Sequence, residues 1–246
     1  MITFITGGAQ GIGLATAQLF AAQGDKVCIF DLTGAKEAAE KLGGDNVIGI
    51  EGNVTNVADV DSAVERIVKQ FGGIDCVVTS AGVVKVGAAL DFGSDDFLSI
   101  MSTNVMGSFL PAQRAARVMA KNGGGNVIFL GSVYGAGGAP QRTAYCASKG
   151  AVHCMTKSLA VEWGPLGIRV NAVAPTGTRT PMVQDLIDRG IYNLKGVEAR
   201  TPLGRLAEPE EIAAAIAFLA SPMAKMINGV ILPVDGGWTA NGYTIG

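Results

Sequence analysis

The chain has 246 residues and a formal net charge of −2, and it is 48% hydrophobic and 16% charged. This length allows one α/β domain or two small ones, and the apolar share allows a large core. The absence of a basic run argues against a nucleic-acid partner. No apolar run reaches the ~18 residues that a membrane span needs. A strand is predicted to begin almost at the first residue with no charged segment before it, so no signal peptide is expected.

The cysteines indicate a reducing compartment. Cys28 and Cys76 lie in apolar, strand-like runs, whereas Cys146 and Cys154 lie on one predicted helix. Their spacing matches neither a CxxC motif nor a metal site. We therefore expect four reduced thiols in a cytoplasmic protein that holds no metal.

Apolar runs and helical periodicities alternate along the chain. Strands are predicted at residues 1–6, 26–30, 47–51, 74–78, 126–132, 168–174 and 230–234. Helices are predicted at residues 12–23, 35–42, 57–71, 95–120, 144–163 and 208–220, and residues 181–205 are predicted to be irregular. No repeat or linker divides the chain. Strands that alternate with helices favour a parallel, doubly wound sheet in a single domain over residues 1–246.

The first predicted strand runs into a glycine-rich turn, Thr6-Gly7-Gly8-Ala9-Gln10-Gly11-Ile12-Gly13. Bare backbone in such a turn can approach a pyrophosphate, and the N-terminus of the following helix favours negative charge. The glycine spacing is G-x-x-x-G-x-G instead of the common G-x-G-x-x-G. The turn alone therefore also fits a plain strand–helix connection.

Asp31 ends the second predicted strand, eighteen residues after Gly13. A carboxylate at that place can accept hydrogen bonds from the ribose hydroxyls of adenosine. It would repel a 2′-phosphate by about 3 kcal/mol, for unit charges ~5 Å apart at an effective dielectric of ~20. No Arg or Lys in the glycine turn or just after Asp31 opposes this effect, so NAD is predicted over NADP. Taken alone, Asp31 could equally cap a helix.

Tyr145 and Lys149 are four residues apart, which places both side chains on one helix face. An ammonium within ~5 Å lowers the pKa of a phenol from its usual value of about 10. Tyr145 could then exchange a proton with an alcohol or ketone. Ser132, thirteen residues earlier at the end of a strand, could hold the same oxygen. The tyrosine and lysine alone would fit an ordinary helix surface, and the other motifs favour the catalytic interpretation.

Together these residues resemble the short-chain dehydrogenase/reductase family over essentially the whole chain. The matching positions, in the family's order, are Thr6, Gly7, Gly11, Gly13, Asp31, Ala81, Gly82, Asn104, Ser132, Tyr145, Lys149 and Pro175 to Thr180. The resemblance implies one Rossmann-type α/β domain with a seven-stranded parallel sheet in the order 3-2-1-4-5-6-7, flanked by helices. It also implies a homotetramer, with the predicted helices that carry Asn104 and Tyr145 at an interface.

The resemblance further implies a role for each matching residue. Tyr145 is the expected general acid/base, Ser132 holds the substrate oxygen, Lys149 binds the nicotinamide ribose, and Asn104 anchors a water that relays protons. The NAD contacts are expected from Gly7, Gln10, Gly11, Ile12, Gly13, Asp31, Leu32, Asn53, Val54, Ser80, Ala81, Gly82, Tyr145, Lys149, Pro175, Thr178 and Thr180. Gln141 and Arg142 join Ser132 and Tyr145 as candidates for substrate contact.

Three positions depart from the family pattern. Thr79-Ser80 replaces two asparagines, Asn53 replaces an acid after the third strand, and Thr176 replaces a glycine after the sixth. None of these changes removes a catalytic group. The expected reaction is the NAD-dependent interconversion of a secondary alcohol (a small alcohol, sugar or polyol) and a ketone.

Two alternatives stay open at this point. A 3-oxoacyl-thioester reductase usually prefers NADPH and a basic docking surface, which Asp31 and the acidic net charge disfavour. A non-catalytic dinucleotide-sensing protein would not need the complete Ser132, Tyr145 and Lys149 set.

Two further features are expected to lie outside the chemistry. His153 lies ~12 Å along the helix from Tyr145, so it is expected to be a packed or interface residue. Residues 181–206 are expected to form a substrate lid, and its basic side chains are interleaved with acids and expected to be solvated.

Overall fold

Seven strands form one sheet at the centre of the computed structural model, which describes residues 1–242. The strands are β1 (Ile2–Thr6), β2 (Lys26–Asp31), β3 (Val47–Glu51), β4 (Cys76–Thr79), β5 (Gly125–Leu130), β6 (Ile168–Pro175) and β7 (Ile231–Val234). Their order is β3-β2-β1-β4-β5-β6-β7, and every pairing is parallel. The predicted fold class and strand order are therefore confirmed.

Helices cover both faces of this sheet. They are α1 (Gly11–Ala22), α2 (Ala35–Leu42), α3 (Val57–Phe71), α4 (Ser94–Met101), α5 (Gly107–Met119), α6 (Thr143–Trp163), α7 (Pro181–Asp188), α8 (Leu194–Arg200) and α9 (Pro209–Ala220). Apolar side chains of α1, α2 and α9 form the core on one face, and those of α3, α5 and α6 form the core on the other. This double covering explains why the strands are nearly continuous apolar runs.

The predicted helix over residues 95–120 is present, but its middle is π-helical. The π-helical turn Ser102–Met106 separates α4 from α5. The helical periodicity continues on either side, which is why the sequence suggests one helix. The turn directs the Asn104 side chain into the interior, where a neighbouring loop offers backbone partners for its amide. Single π turns of this kind are frequent at functional sites.

The prediction of an irregular segment over residues 181–205 is wrong, because this segment contains α7 and α8. Pro181 occupies the first turn of α7, and the Thr180 hydroxyl accepts a hydrogen bond from the Val183 amide at 3.3 Å. The Asn193 side chain caps α8 by accepting from the Gly196 amide at 2.9 Å. Both caps are visible in the sequence as ordinary helix-start signals.

The cysteines occupy the places that the sequence predicts. All four are free thiols, with Cys28 and Cys76 buried in strands and Cys146 and Cys154 on α6. Burial raises the pKa of the Cys28 and Cys76 thiols well above the ordinary value. These two thiols are therefore core groups. Within residues 1–242, no helix combines the length and apolar character needed to cross a membrane.

Candidate active site

A cleft of about 480 Å³ lies along the carboxyl ends of the strands. In open parallel sheets, ligands bind outside these ends where the strand order reverses, here between β1 and β4. The cleft brings together the predicted residues Gly7, Gln10, Gly11, Ile12, Asp31, Leu32, Asn53, Val54, Ser80, Ala81, Gly82, Ser132, Tyr145, Lys149, Pro175, Thr178 and Thr180.

Four predicted site residues do not line this cleft: Gly13, Asn104, Gln141 and Arg142. Gln141 is exposed, and Arg142 is the half-buried residue just before α6. The cleft also has lining residues that the motifs did not predict. They are Thr33, Gly52, Val83, Thr103, Leu130, Gly131, Thr176, Pro181, Met182 and Val183. Seven of these ten are direct chain neighbours of a predicted site residue, so adjacency was the signal that could have found them.

The glycine turn is tightly packed against the end of β4. Gly7 has a φ of +64°, and a Cβ at this position would lie 2.5 Å from the Ala81 amide nitrogen. A Cβ at Gly13 would lie 2.0 Å from the Gly7 carbonyl oxygen, so Gly13 allows α1 to approach the turn instead of touching a ligand. Gln10 precedes α1 without a side-chain cap, and the first turn of α1 carries no acid. The α1 amides therefore face the cleft, where an anion can bind them.

The Asp31 carboxylate joins the glycine turn to β2. It accepts hydrogen bonds from the Ala9 amide at 3.0 Å and the Leu32 amide at 2.8 Å. The residue that precedes α2 is Gly34, so the alternative in which Asp31 caps that helix is wrong. Asp31 places a negative charge at the end of the cleft away from Tyr145.

Ser132, Tyr145 and Lys149 meet at the other end of the cleft. Ser132 lies two residues beyond the end of β5, not in the strand as predicted, and its Oγ accepts from the Tyr134 amide at 3.2 Å. The Ser132 hydroxyl lies near enough to Tyr145 to lower the pKa of its phenol. Lys149 is 4% exposed, and its Nζ lies 5.7 Å from the Tyr145 ring centroid. The three functional groups therefore face one shared space.

The pKa values in this group differ from the expectation. Burial raises the pKa of Tyr145 to about 12, although the nearby Ser132 hydroxyl opposes this rise. The Lys149 ammonium donates to the Leu130 carbonyl at 2.7 Å, and burial lowers its pKa to about 8. In the chain by itself the predicted lowering of the phenol pKa is not seen, because desolvation dominates and the groups that oppose it are Ser132 and Arg142.

Asn104 supports this end of the cleft from behind. It is fully buried, and its side-chain amide pairs with the Val83 backbone at 2.8 and 3.0 Å. Its Nδ2 also donates to the Ser148 hydroxyl at 3.0 Å, and that hydroxyl donates to the Tyr145 carbonyl at 2.7 Å. Asn104 therefore links the loop after β4 to the first turns of α6.

Tyr134, which the motifs did not predict, packs beside Tyr145 and belongs to a group of aromatic side chains that lies next to the residues lining the cleft. The Tyr134 ring is edge-on to Tyr145 at 6.4 Å and to Trp238 at 5.6 Å between centroids. Arg200 of α8 lies 3.9 Å from the centroid of the Trp238 ring. Tyr192 lies between α7 and α8, and a Cβ at Gly177 would lie 2.1 Å from its hydroxyl oxygen. These groups come from separate loops, which is why no spacing in the sequence reveals them.

Comparison with known proteins finds relatives over nearly the whole chain. A family model described as enoyl-(acyl carrier protein) reductase matches residues 7–239. The chain is 38% identical to D-threitol dehydrogenase of Mycolicibacterium smegmatis over 97% of its own length and 92% of the relative. The chain belongs to the short-chain dehydrogenase/reductase family. It spans 43% of an uncharacterized member of this family from Sinorhizobium fredii.

Solved structures of the family superpose closely on the chain. A 3-ketoacyl-(acyl-carrier-protein) reductase from Brucella melitensis, complexed with NADH, has a TM-score of 0.89 and 34% identity over 97% of this chain and 98% of its own. ElxO with NADP bound has a TM-score of 0.90 and 31% identity over 97% and 98%. The chain is thus an oxidoreductase on a dinucleotide-binding fold, and both cofactor types occur among similar short-chain dehydrogenases/reductases.

The cleft fits a dinucleotide by its own features. Bare backbone at Gly7 and the open N-terminus of α1 suit a pyrophosphate. Asp31 at one end and the buried Lys149 ammonium at the other suit the hydroxyls of two riboses. Asp31, the Gly7 backbone with the N-terminus of α1, and Lys149 therefore lie in one cleft. Their order matches the order ribose, pyrophosphate, ribose in a dinucleotide.

Proposed function

We propose that the chain is an NAD-dependent dehydrogenase that interconverts a secondary alcohol, of the polyol or sugar class, and the corresponding ketone. One observation carries this proposal. A single cleft has the Asp31 carboxylate at one end and the neighbouring Ser132 and Tyr145 hydroxyls at the other. The carboxylate favours a cofactor without a 2′-phosphate, and the two hydroxyls can hold and protonate the oxygen of a substrate.

Bound nicotinamide would supply the hydride chemistry. The chain would hold it through the glycine turn, Asp31, Asn53 and the residues that follow β4 and β6, and Lys149 would bind the ribose hydroxyls beside the ring. The protein then contributes position and a proton. Asn104 and Ser80 stand behind or beside this site, and their part in the reaction belongs to the same proposal.

Ser132 and Tyr145 would act on the substrate oxygen together. The Tyr134 amide donates to Ser132 Oγ, so the hydroxyl hydrogen of Ser132 points away from that amide. It is available to Tyr145 or to a substrate oxygen in the shared space. Two hydroxyl groups that converge on one oxygen orient the reacting carbon and stabilise charge that develops on it.

The protonation state of Tyr145 suits ketone reduction directly. With its pKa raised to about 12 by burial, the phenol keeps its proton at neutral pH and can donate it to the alkoxide that forms. In alcohol oxidation, Tyr145 has to lose that proton first. The Lys149 ammonium, 5.7 Å from the ring centroid, is then the nearby cation that favours the phenolate.

The surroundings of Tyr145 support a polyhydroxylated substrate. Tyr134, Tyr192 and Trp238 offer aromatic faces with polar edges, which suit a molecule that alternates C–H and O–H groups. The 38% identity to D-threitol dehydrogenase supports the same class. Gln141 and Arg142 stand as candidates for the far end of a longer substrate.

The remaining features of the proposal concern the whole chain. We place residues 1–246 in a single domain, of which residues 181–206 act as a substrate lid, and we propose a cytoplasmic homotetramer. Leu98, Met106 and Val161 are large apolar side chains exposed on α4, the π turn and α6, which supports an interface on this face.

A coenzyme-reduction screen tests this function. Purified protein is incubated with NAD or NADP and a panel of polyols, sugars, hydroxy acids and simple secondary alcohols, and NADH or NADPH formation is followed at 340 nm. Acetoacetyl thioester reduction is measured in parallel. We expect the highest kcat/KM with NAD and a polyol. Faster thioester reduction with NADPH would favour the acyl reductase instead, and NADH binding without any turnover would favour a sensing protein.

A further inference from the structure

Two glycines flank Ser132 closely, and both lie against the ring of His153. A Cβ at Gly131 would lie 2.6 Å from His153 Nε2, and a Cβ at Gly135 would lie 2.5 Å from Cε1. Contacts this short do not occur for real side chains, so only glycine leaves room for the imidazole at both positions. His153 was expected to be a packed or interface residue, and its ring packs beneath this turn.

We call residues 131–135 the serine turn. Its backbone is held at one end by β6, because the Gly131 amide donates to the Val173 carbonyl at 2.8 Å. The turn closes on itself through the Gly135 amide, which donates to the Ser132 carbonyl at 2.9 Å. On its inner side the turn lies on the imidazole of His153. The position of Ser132 therefore depends on this ring as well as on the strand.

The ring connects the serine turn to the helix that carries the other catalytic groups. His153 lies one turn beyond Lys149 and two turns beyond Tyr145 on α6. Contact between the ring and both glycines sets the distance between α6 and the serine turn. That distance determines whether the Ser132 hydroxyl meets the Tyr145 hydroxyl.

The ring acts by its shape and without charge. Burial and the neighbouring ammonium groups of Lys149 and Lys157 lower the pKa of His153, so it is neutral at neutral pH. Its Nε2 is buried and has no hydrogen-bond partner within the described residues 1–242. A buried unpaired nitrogen destabilises a fold, so stability does not favour histidine at this position over an apolar side chain. A planar five-membered ring does fit the narrow space between two glycines.

We propose that His153 is a positioning residue for the reaction: its neutral ring supports the serine turn at the height where Ser132 and Tyr145 reach the same oxygen. This inference rests on the proposed dehydrogenase function for its activity readout, and it assigns His153 no direct contact with substrate or cofactor.

A suppressor pair tests the inference. In Gly135→Ala, the added methyl group overlaps the ring, so kcat should fall about 10- to 100-fold through displacement of Ser132. His153→Ala removes the support and should lower kcat about 10-fold. In the double variant the methyl group occupies part of the vacated space, so kcat should exceed that of Gly135→Ala alone. Additive losses in the double variant would overturn the proposal.

Further measurements separate positioning from general damage. The Kd for NADH, measured by fluorescence, should stay within about twofold of wild type, because the contacts of the glycine turn and Asp31 are untouched. The deuterium isotope effect on kcat should increase as the chemical step slows. The control Cys154→Ala, on the exposed side of α6, should change nothing. Wild-type kcat in His153→Ala would refute the inference while leaving the proposed function intact.

The design also holds if one variant folds poorly. If Gly135→Ala is too unstable for kinetics, the melting temperatures of the single and double variants are compared. A higher Tm for the double variant supports the contact between ring and turn, and an equal or lower Tm contradicts it. A wild-type protein without turnover on any alcohol would instead remove the proposed function, and the Tm comparison would still decide whether the ring supports the turn.

Discussion

The two ends of the cleft are formed by different parts of the fold, one by strands and a helix and the other by loops. At the cofactor end, Gly7, Gly13 and Asp31 are held by backbone contacts between neighbouring strands and a helix. At the substrate end, Tyr134, Tyr192 and Trp238 come from three loops far apart in the chain. The cofactor end is thus determined by the sheet itself, whereas the substrate end depends on how loops pack onto it. Substitutions at the cofactor end should therefore change cofactor binding, and substitutions at the substrate end should change the chemical step and substrate specificity.

The sharpest separation is expected from Tyr145→Phe. This variant removes the hydroxyl that donates the proton and leaves the ring and the cofactor end in place. We expect kcat to fall about 10³-fold, in the range of a lost general acid. The Kd for NADH should stay within a few-fold of wild type, as measured by fluorescence titration. Tyr134→Phe, with its ring centroid 6.4 Å away, is the matched control and should retain most of the turnover. Substantial turnover in Tyr145→Phe would reject the mechanism.

The next largest effect is expected at the opposite end. Asp31→Ser removes a repulsion of about 3 kcal/mol toward a 2′-phosphate, so the ratio of kcat/KM for NADP to that for NAD should rise about 100-fold. Steady-state kinetics with both cofactors measure this ratio. Glu51→Gln is the control, because Glu51 is the neighbour of Asp31 on β3 and does not line the cleft. If Glu51→Gln raised the ratio of kcat/KM values equally, the preference for NAD would come from the overall negative charge at this edge of the sheet and not from Asp31 itself.

Lys149 lies at the Tyr145 end, and its replacement should reveal how much its buried charge costs in stability. Burial lowers the pKa of Lys149 from 10.5 to about 8, a difference worth about 3 kcal/mol. Below pH 8 the folded chain holds a buried ammonium and this cost is present in full. Between pH 8 and 10.5 the folded lysine is neutral while the unfolded chain is still protonated, so wild-type stability rises with pH.

Lys149→Met removes that buried charge. We expect the free energy of unfolding at pH 7 to increase by about 1–3 kcal/mol. The increase is smaller than the full cost of the buried charge, because the Leu130 carbonyl loses its hydrogen-bond donor. The rise between pH 8 and 10.5 should diminish, and turnover should fall. Urea denaturation without cofactor measures stability at several pH values. The exposed Lys157→Met on the same helix is the control. A less stable Lys149→Met variant would contradict this prediction.

The smallest effect is expected in the lid. Tyr192→Phe removes one hydroxyl that offers a hydrogen bond, which is worth about 2- to 10-fold in kcat/KM. The loss should appear with a polyol and be absent with a monohydric alcohol such as 2-butanol. Kinetics with both substrates test this, and Asp188→Asn on α7 is the control. Equal losses with both alcohols would indicate a structural effect on the lid and remove Tyr192 from substrate recognition.

Local signals explain which predictions were confirmed. The strands are predictable because a sheet covered on both faces requires continuous apolar runs, and the sheet then determines where the cleft lies. Most motif residues line the cleft because they lie at or soon after the carboxyl end of a strand, whereas Tyr145 and Lys149 reach it from α6. Gly13 and Asn104 do not line it, since they serve contacts behind the cleft that a motif cannot distinguish from contacts within it.

The features that local spacing did not reveal share a physical cause. The π turn at Ser102–Met106, the raised pKa of Tyr145 and the contact of the His153 ring with two glycines of another segment all depend on what surrounds a residue in space. The two lid helices are the exception, because their caps at Thr180 and Asn193 are local signals.

By itself, the sequence determined the sheet, the strand order through family resemblance, the glycine turn and the identity of the chemical groups. These features depend on periodicity and on residues that are close along the chain. Only the tertiary structure decided the environment of those groups, including the desolvation of Tyr145 and Lys149, the aromatic surroundings of the substrate end and the support beneath Ser132. Burial and contact between distant segments have no counterpart in local spacing, which is why they became visible only in the folded chain.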